Sequence, residues 1–437
     1  MESTKGATFL GINLREGVAR LNFITLSFIS FFCMTMNILP VVLQPLFLQE
    51  VIGIDRQHIG KINASLSVLV EITIIFLVGG IGILSDKIGR RGLLVTGFIL
   101  TGISLLCFGS SHIIADFIGV NKPLLLVYVF RFFIGFSMLL VWPQIQSLFT
   151  DYTFIAGRGK AMAIMGFMFT AGSLFCFSFI ARLPKIIGLY NTFLLSMLIA
   201  IVASVISRAG LVELVDKKKK EKVNWKEVFR MLKESPCLKI TFATAFASRA
   251  DVVIFGMFTM VWAIKVAKEF GRTPMQAMGE AGIIVAMASV IGLLCYPIWG
   301  YLVENWGKLK ILALGLFLAG SGLTLMVFIT NPFSIWMKVC VFIFALGVNG
   351  VGVGSSTLTS NIAPRNIIGS VLGGYHTSAA IGIMFFLQAG GFLFDLVAHS
   401  MPFVLTGIAD LLVVVFILMT WKKAHAEEEI YNQKKFH

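Results

Sequence analysis

A few ionisable side chains stand inside long apolar runs: Glu71, Arg131, Arg249, Asp251 and His376. In a hydrocarbon environment each would cost at least about 2.5 kcal/mol and is kept only for a reason. Arg249 and Asp251 are two positions apart. On a helix they project roughly 200° from each other, too far round to pair, so each needs a partner on another helix, a solute or water. A guanidinium grips a carboxylate through two parallel hydrogen bonds, which makes Arg249 a candidate site for an anionic or carboxylate-bearing solute. Glu71 and Asp251 are carboxyls that can take up and release a proton, and are candidate proton carriers. Each also has a structural alternative. Arg249, Asp251 and Arg131 can form ion pairs between helices, Glu71 can hydrogen-bond a neighbouring helix, and His376 can be hydrogen-bonded filler. Asp395 reads as a boundary residue at the far end of its run.

Covalent chemistry has no foothold in these residues. No Ser/His/Asp set, metal-ligand cluster or phosphate-binding loop occurs, so no enzyme, metal site or cofactor is expected. The six cysteines (Cys33, Cys107, Cys176, Cys237, Cys295 and Cys340) are scattered without a C-x-x-C or Cys/His pairing, and they read as buried thiols.

The elements that must position these groups follow from composition. Of 437 residues, 57% are apolar and 13% charged, with a mean hydropathy of +0.89. Soluble domains run at about 45–50% apolar and about 25% charged, and this chain would have no polar surface to present to water. Its apolar runs reach the about 20 residues that a membrane-crossing helix needs. Hydropathy places spans at 21–49, 60–83, 92–112, 123–149, 159–181, 190–210, 238–266, 279–303, 309–330, 334–360, 367–396 and 399–421. Pro40, Pro45, Pro143 and Pro297 fall inside them as expected kink sites.

The formal net charge of +14 would suit nucleic acid, but its distribution does not. Lys and Arg lie mostly in short segments between spans. The side holding both termini carries roughly 25 of them against roughly 9 opposite, which makes it the cytoplasmic side of a bacterial-type inner membrane. A polar N-terminus (1–20) has no cleavable signal pattern. The hydrophilic segment 211–237 divides six spans (21–210) from six (238–421), and a tail follows (422–437). In the linker, Lys217–Lys220 precede Asn224 and Glu227, a capping-box-like start. Trp225, Val228, Phe229 and Leu232 then line one face of a short helix suited to the inner membrane surface; a solvated linker is the alternative.

An internal repeat ties the two sets together. Gly82-Ile83-Leu84-Ser85-Asp86-Lys87-Ile88-Gly89-Arg90-Arg91 lies between spans two and three, and Gly300-Tyr301-Leu302-Val303-Glu304-Asn305-Trp306-Gly307-Lys308 between spans eight and nine. Both read G-x-L-x-acid-x-x-G-basic. The first fills every position of the loop signature of the major facilitator superfamily, G-x-L-x-D-[RK]-x-G-R-[RK]. Arg131 to Gly135 fits that family's R-x-x-x-G element in span four, and Asp151 closes the span before Arg158-Gly159. The whole chain thus resembles this family. The resemblance implies an all-α membrane fold of twelve transmembrane helices, in two six-helix bundles related by a pseudo-two-fold axis.

It also implies roles. In the family the loop acid and the basic residue four positions later belong to a conformational latch. Here that means Gly82, Asp86, Gly89, Arg90 and Arg91, with Asp151 as partner of Arg90. The second copy supplies Glu304 and Lys308 and lacks the doubled arginine, so a weaker latch is expected. Arg131 matches a position linked to proton coupling. Asn37, Gln44, Trp142, Gln144, Gln146 and Asn349 lie on spans one, four and ten, which commonly line the cavity, and join Arg249, Asp251 and His376 as candidate substrate-binding residues. The expected activity is secondary transport of a small solute or ion by alternating access, proton-coupled as in a symporter, by a monomer in the bilayer without nucleic acid. Span five has no proline between Gly166 and Gly172, unlike the G-P-x-x-G-G element of drug/proton antiporters, and Glu234-Ser235-Pro236 does not match the sugar-porter signature. Efflux of amphipathic compounds remains an alternative, given 40 Phe and 19 Met. So does metal or iron-related transport, because the stretch from Ile59 through Glu71 to the loop loosely resembles the branch found in magnetosome membranes. A non-transporting sensor or assembly protein is the alternative from another class.

Overall fold

A computed structural model describes residues 7–55, 57–154, 157–214, 225–363 and 368–433. Lys217–Lys220 and Asn224 lie outside the described residues. Helices dominate: α1 (Arg20–Glu50), α2 (Ile59–Ile88), α3 (Arg90–Gly109), α4 (Ser111–Ile118), α5 (Pro123–Tyr152), α6 (Arg158–Ser178), α7 (Leu183–Ile187) and α8 (Leu189–Gly210) come first. They are followed by α9 (Trp225–Glu234), α10 (Pro236–Ser248), α11 (Asp251–Val266), α12 (Pro274–Trp306), α13 (Lys308–Thr324), α14 (Ile335–Ile362), α15 (Ile368–Leu396) and α16 (Met401–Gln433). Among the described residues, 12 helical spans are long and apolar enough to cross a membrane, so the chain is an all-α membrane protein.

Three elements differ from the hydropathy reading. The seventh span is broken: α10 stops at Ser248 and α11 starts at Asp251. The twelfth runs on as a helix to Gln433, well past residue 421, because its polar extension has partners to meet. The N-terminal segment is not merely polar. Thr8–Phe9 and Ile12–Asn13 form an antiparallel hairpin, Leu14 bridges Thr153, and the Arg15 N–H donates to the Tyr152 carbonyl at 2.9 Å. Ile12 and Leu14 are fully buried there. The hairpin is thereby sewn to the end of α5.

By contacts the chain divides into two compact units: Met1–Asp55, Leu69–Lys219 and Ala267–Gly282 form one; Arg56–Val68, Lys220–Val266 and Ile283–His437 form the other. In unit 1, α3 packs on α5 and α8, and α1 on α6 and α8. In unit 2, α13 packs on α14 and α16, and α10 on α15 and α16. Lipid offers no hydrophobic drive for helix association, so close van der Waals packing at small residues must supply it. Gly97 of α3 accordingly lies against Leu140 and Val141 of α5, and Gly102 against Met197 and Ala200 of α8.

The α13–α14 contact brings backbone against backbone. A Cβ at Gly315 would lie 2.7 Å from the Val351 amide nitrogen, and one at Gly347 would strike the Ala319 nitrogen and the Gly315 carbonyl. Backbone cannot step aside as a flexible side chain can. Gly347→Leu is therefore expected to cost at least about 3 kcal/mol. Gly352→Leu on the same helix, where nothing lies within 4 Å of the added carbon, should change stability by less than about 0.5 kcal/mol. Thermal unfolding of the two purified variants checks this; equal midpoints would refute the packing account.

Candidate functional site

The break in the seventh span is the centre of the charged residues in unit 2. Arg249 and Ala250 interrupt the helical ladder, and Ser248 and Asp251, on either side of the break, both face Asp410 of α16. The Arg249 side chain is exposed and close enough to the likewise exposed His376 of α15 for its charge to act on the imidazole. Asp251 is fully buried, as is Asp410 of α16. The Asp251 carboxyl faces the Asp410 carboxyl and the Thr406 hydroxyl, and Ser248 Oγ donates to Asp410 Oδ1. Asn349, half-buried on α14, packs its amide against Gly292 of α12.

Unit 1 holds the remaining candidates. Arg131 is buried and feels the field of Glu71. Trp142 packs its ring on Phe169, centroids 4.9 Å apart. Gln44 and Gln144 are buried; Gln144 Nε2 has no acceptor among the described residues. Asn37 is half-buried and Gln146 exposed.

The loop repeat has a geometry of its own. Gly89 and Gly307 hold φ of +93° and +96°, a backbone that other residues avoid, so each copy turns sharply into the next helix. The helix N-termini that follow expose N–H groups and favour negative charge. In the first copy Glu213 fills that role, accepting from the Arg90 N–H at 3.0 Å and the Arg91 N–H at 2.7 Å. In the second Glu428 accepts from the Lys308 N–H at 2.7 Å. The Arg90 guanidinium pairs with Asp151, and Arg91 Nη1 donates to the Leu211 carbonyl at 3.3 Å. Gly82 and Asp86 lie in the closing turns of α2, and Glu304 in that of α12; the side chains of Asp86 and Glu304 are outside the described residues. Glu213 and Glu428 are acids that sequence reasoning passed over, since each lies some 120 residues from the helix it caps.

Asp395 also closes a helix end. Within unit 2 it accepts from the Gly60 N–H at 3.1 Å and the Lys61 N–H at 2.8 Å, at the start of α2, and Lys265 Nζ is 3.6 Å away. Lys265 lies over the Phe394 ring, and His399 stacks beside Trp262 and Phe394. Burial first, and the Lys265 charge second, push the His399 pKa down to about 4, so this imidazole is neutral near pH 7.

Comparison with known proteins gives these positions a setting. Residues 25–266, and again 250–436, match the Major Facilitator Superfamily profile. The magnetosome protein MamH of Paramagnetospirillum magneticum is 32% identical over 396 residues, 90% of this chain and 91% of MamH. The magnetosome protein MamZ of Magnetospirillum gryphiswaldense is 27% identical over 398 residues, 90% of this chain, and the match spans 60% of MamZ. Among solved structures, the nucleoside transporter NupG superposes with a TM-score of 0.71 at 12% identity, over 92% of this chain and 99% of NupG. At that identity the likeness is one of fold alone.

The Arg90–Asp151 pair is mostly shielded, with side-chain exposures of 18% and 15%. Exposed pairs contribute at most about 1 kcal/mol, and this one should exceed that. A double-mutant cycle with Arg90→Ala and Asp151→Ala, read by chemical unfolding, is expected to return a coupling above about 1 kcal/mol. Strictly additive single effects would mean that the pair adds nothing to stability.

Proposed function

The chain belongs to the major facilitator superfamily, and on that premise we propose that it is a secondary active transporter of a small anionic or carboxylate-bearing solute. It works by alternating access and draws on a proton gradient. The observation that carries this reading is the broken seventh span. Discontinuous helices near mid-membrane are where carriers of this kind gather freed backbone groups and charged side chains around solute and coupling ion. Here Arg249, at the break, is exposed beside His376, and Asp251, just after it, is buried against Asp410.

Arg249 supplies planar, always-charged donors for a carboxylate, and His376 adds a polar neighbour. Asp251, with Glu71 and Arg131 in unit 1, serves proton movement. Asn37, Gln44, Trp142, Gln144, Gln146 and Asn349 supply further polar contacts to the solute. The Gly82–Arg91 loop, with Arg90 on Asp151 and Glu213 on the start of α3, acts as a latch that a change of access has to release; Glu304 and Lys308 form its counterpart. The excess of basic residues on one side favours a cytoplasmic location for both termini, in a bacterial inner membrane or one derived from it, and a monomer suffices for this mechanism. The likeness to MamH and MamZ favours a magnetosome membrane as that derivative and supports a second reading, carriage of a metal-related solute. Among the described residues no group of three or more His, Cys, Asp or Glu could hold a metal ion. A metal would thus travel as the complex of a carboxylate ligand that Arg249 can grip.

Thermal-shift screening against carboxylate and metal–carboxylate libraries would find a solute, because a ligand raises stability with its saturation. That solute should then accumulate in proteoliposomes under an imposed pH gradient. Arg249→Lys should raise its apparent KM about tenfold, the value of one lost charge-assisted hydrogen bond; unchanged kinetics would remove Arg249 from the site. Uptake that remains gradient-driven in both Glu71→Gln and Asp251→Asn would rule out proton coupling through these groups. Absence of counterflow for every solute that stabilises the protein would favour a sensor over a carrier.

A further inference from the structure

Among the described residues, Asp410 is the one fully buried acid that neither the loop repeat nor the solute-binding residues account for, and it faces a second, Asp251. Two carboxyls offer four oxygens and, when ionised, no donor. The protein provides one: Ser248 Oγ, to Asp410 Oδ1. Asp410 Oδ2 is reached by no donor among the described residues, and the Asp251 carboxyl has only the Thr406 hydroxyl and Asp410 itself beside it. The Thr406 hydroxyl faces Asp251 but has one proton, and it also lies 3.1 Å from the Phe403 carbonyl and 3.4 Å from the Pro402 carbonyl, so it can meet at most one of the oxygens that Ser248 leaves.

Charge does not come to the rescue either. Arg249, the nearest basic residue in sequence, is exposed toward His376. Of the helices packed around the pair, α13 carries only Lys308 and Lys310, α14 only Lys338 and the thiol of Cys340, and α15 no Lys or Arg, only Tyr375, His376 and Asp395. On α10 and α16 the next charged residues are Lys239 and Lys422, and on α11 it is Lys265, which is turned to Asp395. Two like charges in contact, away from water and without a counter-ion, repel too strongly to coexist. Packing leaves little room for a hydrated metal ion. A Cβ at Gly320 would sit 2.9 Å from that of Asp410, and one at Gly407 2.5 Å from Thr324 Oγ1.

We propose that Asp251 and Asp410 form a proton-binding site in which the two carboxyls hold a single proton between them. That proton supplies the missing donor: one group is the acid, the other the carboxylate that accepts from it. Discharge gives two carboxylates and one proton released to water. It can happen only when water reaches the pair, because the doubly charged pair has nothing else to solvate it. The site lies directly behind the break, Ser248 on one side and Asp251 on the other, so loss of the proton acts on the same two residues that hold Arg249 in place. Proton binding stands on this geometry alone; its use to drive a solute rests on the carrier reading above.

Infrared difference spectroscopy of the purified protein in lipid nanodiscs tests the site. At about pH 7 the wild type should show a protonated-carboxyl band that moves on transfer to heavy water. The double variant Asp251→Asn/Asp410→Asn keeps the shape and can pair amide to amide, and it should lack the band. Asp410→Asn alone should alter the band's frequency, since the partner across the shared proton is then an amide. A wild-type spectrum without such a band, or one identical in the double variant, overturns the proposal. Stability gives a second readout with a defined sign. Unfolded carboxyls are ionised above about pH 5, whereas the native pair keeps a proton, so the native state binds more protons and stability falls as pH rises. From about pH 7 to about pH 9, where His399 is neutral whether folded or unfolded, the wild-type melting midpoint should drop and that of the double variant should drop less. Equal slopes, or a rise in midpoint on replacing choline with sodium at constant pH, would mean that no proton is held there. Failure of the wild type in every counterflow assay would remove the carrier reading and leave both of these readouts unchanged.

Discussion

A helix that begins at the edge of a membrane presents bare N–H groups that neither lipid nor a neighbouring turn can satisfy, and in this chain carboxylates from distant segments answer that demand. Glu213 closes α3, Glu428 closes α13, Glu427 accepts from the Cys237 N–H at the start of α10, and Asp395 closes α2. Each acid finds a partial positive charge already in place, to which Asp395 adds Lys265 at 3.6 Å. This frees the arginines for other work. Arg90 is left to Asp151 and Arg91 to the Leu211 carbonyl. The long polar extension of α16 has the same origin, since Glu427 and Glu428 reach their targets only if the helix continues beyond the apolar stretch.

The two copies of the loop agree more closely in shape than in sequence. Gly89 and Gly307 differ by only a few degrees in φ, and each is followed by a helix whose first N–H groups meet a glutamate. Those glutamates come from comparable places, just after the sixth apolar span and at the end of the twelfth. The repeat in the letters is thus a remnant of a repeat in hydrogen bonding. The doubled arginine of the first copy is an addition to that common frame.

Much of this was legible in the letters. The twelve spans follow from apolar run lengths, and the turn glycines from the repeated G-x-L-x-acid-x-x-G-basic pattern. The break at Arg249–Ala250 was not, because Ser248, Arg249 and Ala250 include neither proline nor glycine and carry no local signal against a helix. Asp410 could have been found: it is an acid inside the last apolar span, and the signal that singled out Asp251 applies equally to it. Its meaning could not, since the facing of Asp251 and Asp410 depends on how α11 and α16 rotate against each other. The helix-capping glutamates sit in polar segments where an acid is unremarked, and only long-range packing reveals what they touch.

The order in which the chain is made gives the C-terminal extension a further significance. The Cys237 N–H at the start of α10 waits 190 residues for Glu427, and Lys308 waits 120 for Glu428. The Cys237 and Lys308 N–H groups therefore lack these acceptors until the last turns of α16 have been translated, although Ser235 Oγ already accepts from the Leu238 N–H of α10. The twelfth span is in this sense the closing stitch of its unit. A stop codon placed just after the apolar stretch would keep the letters of every span, yet the Cys237 and Lys308 N–H groups would each lose the acceptor they have here.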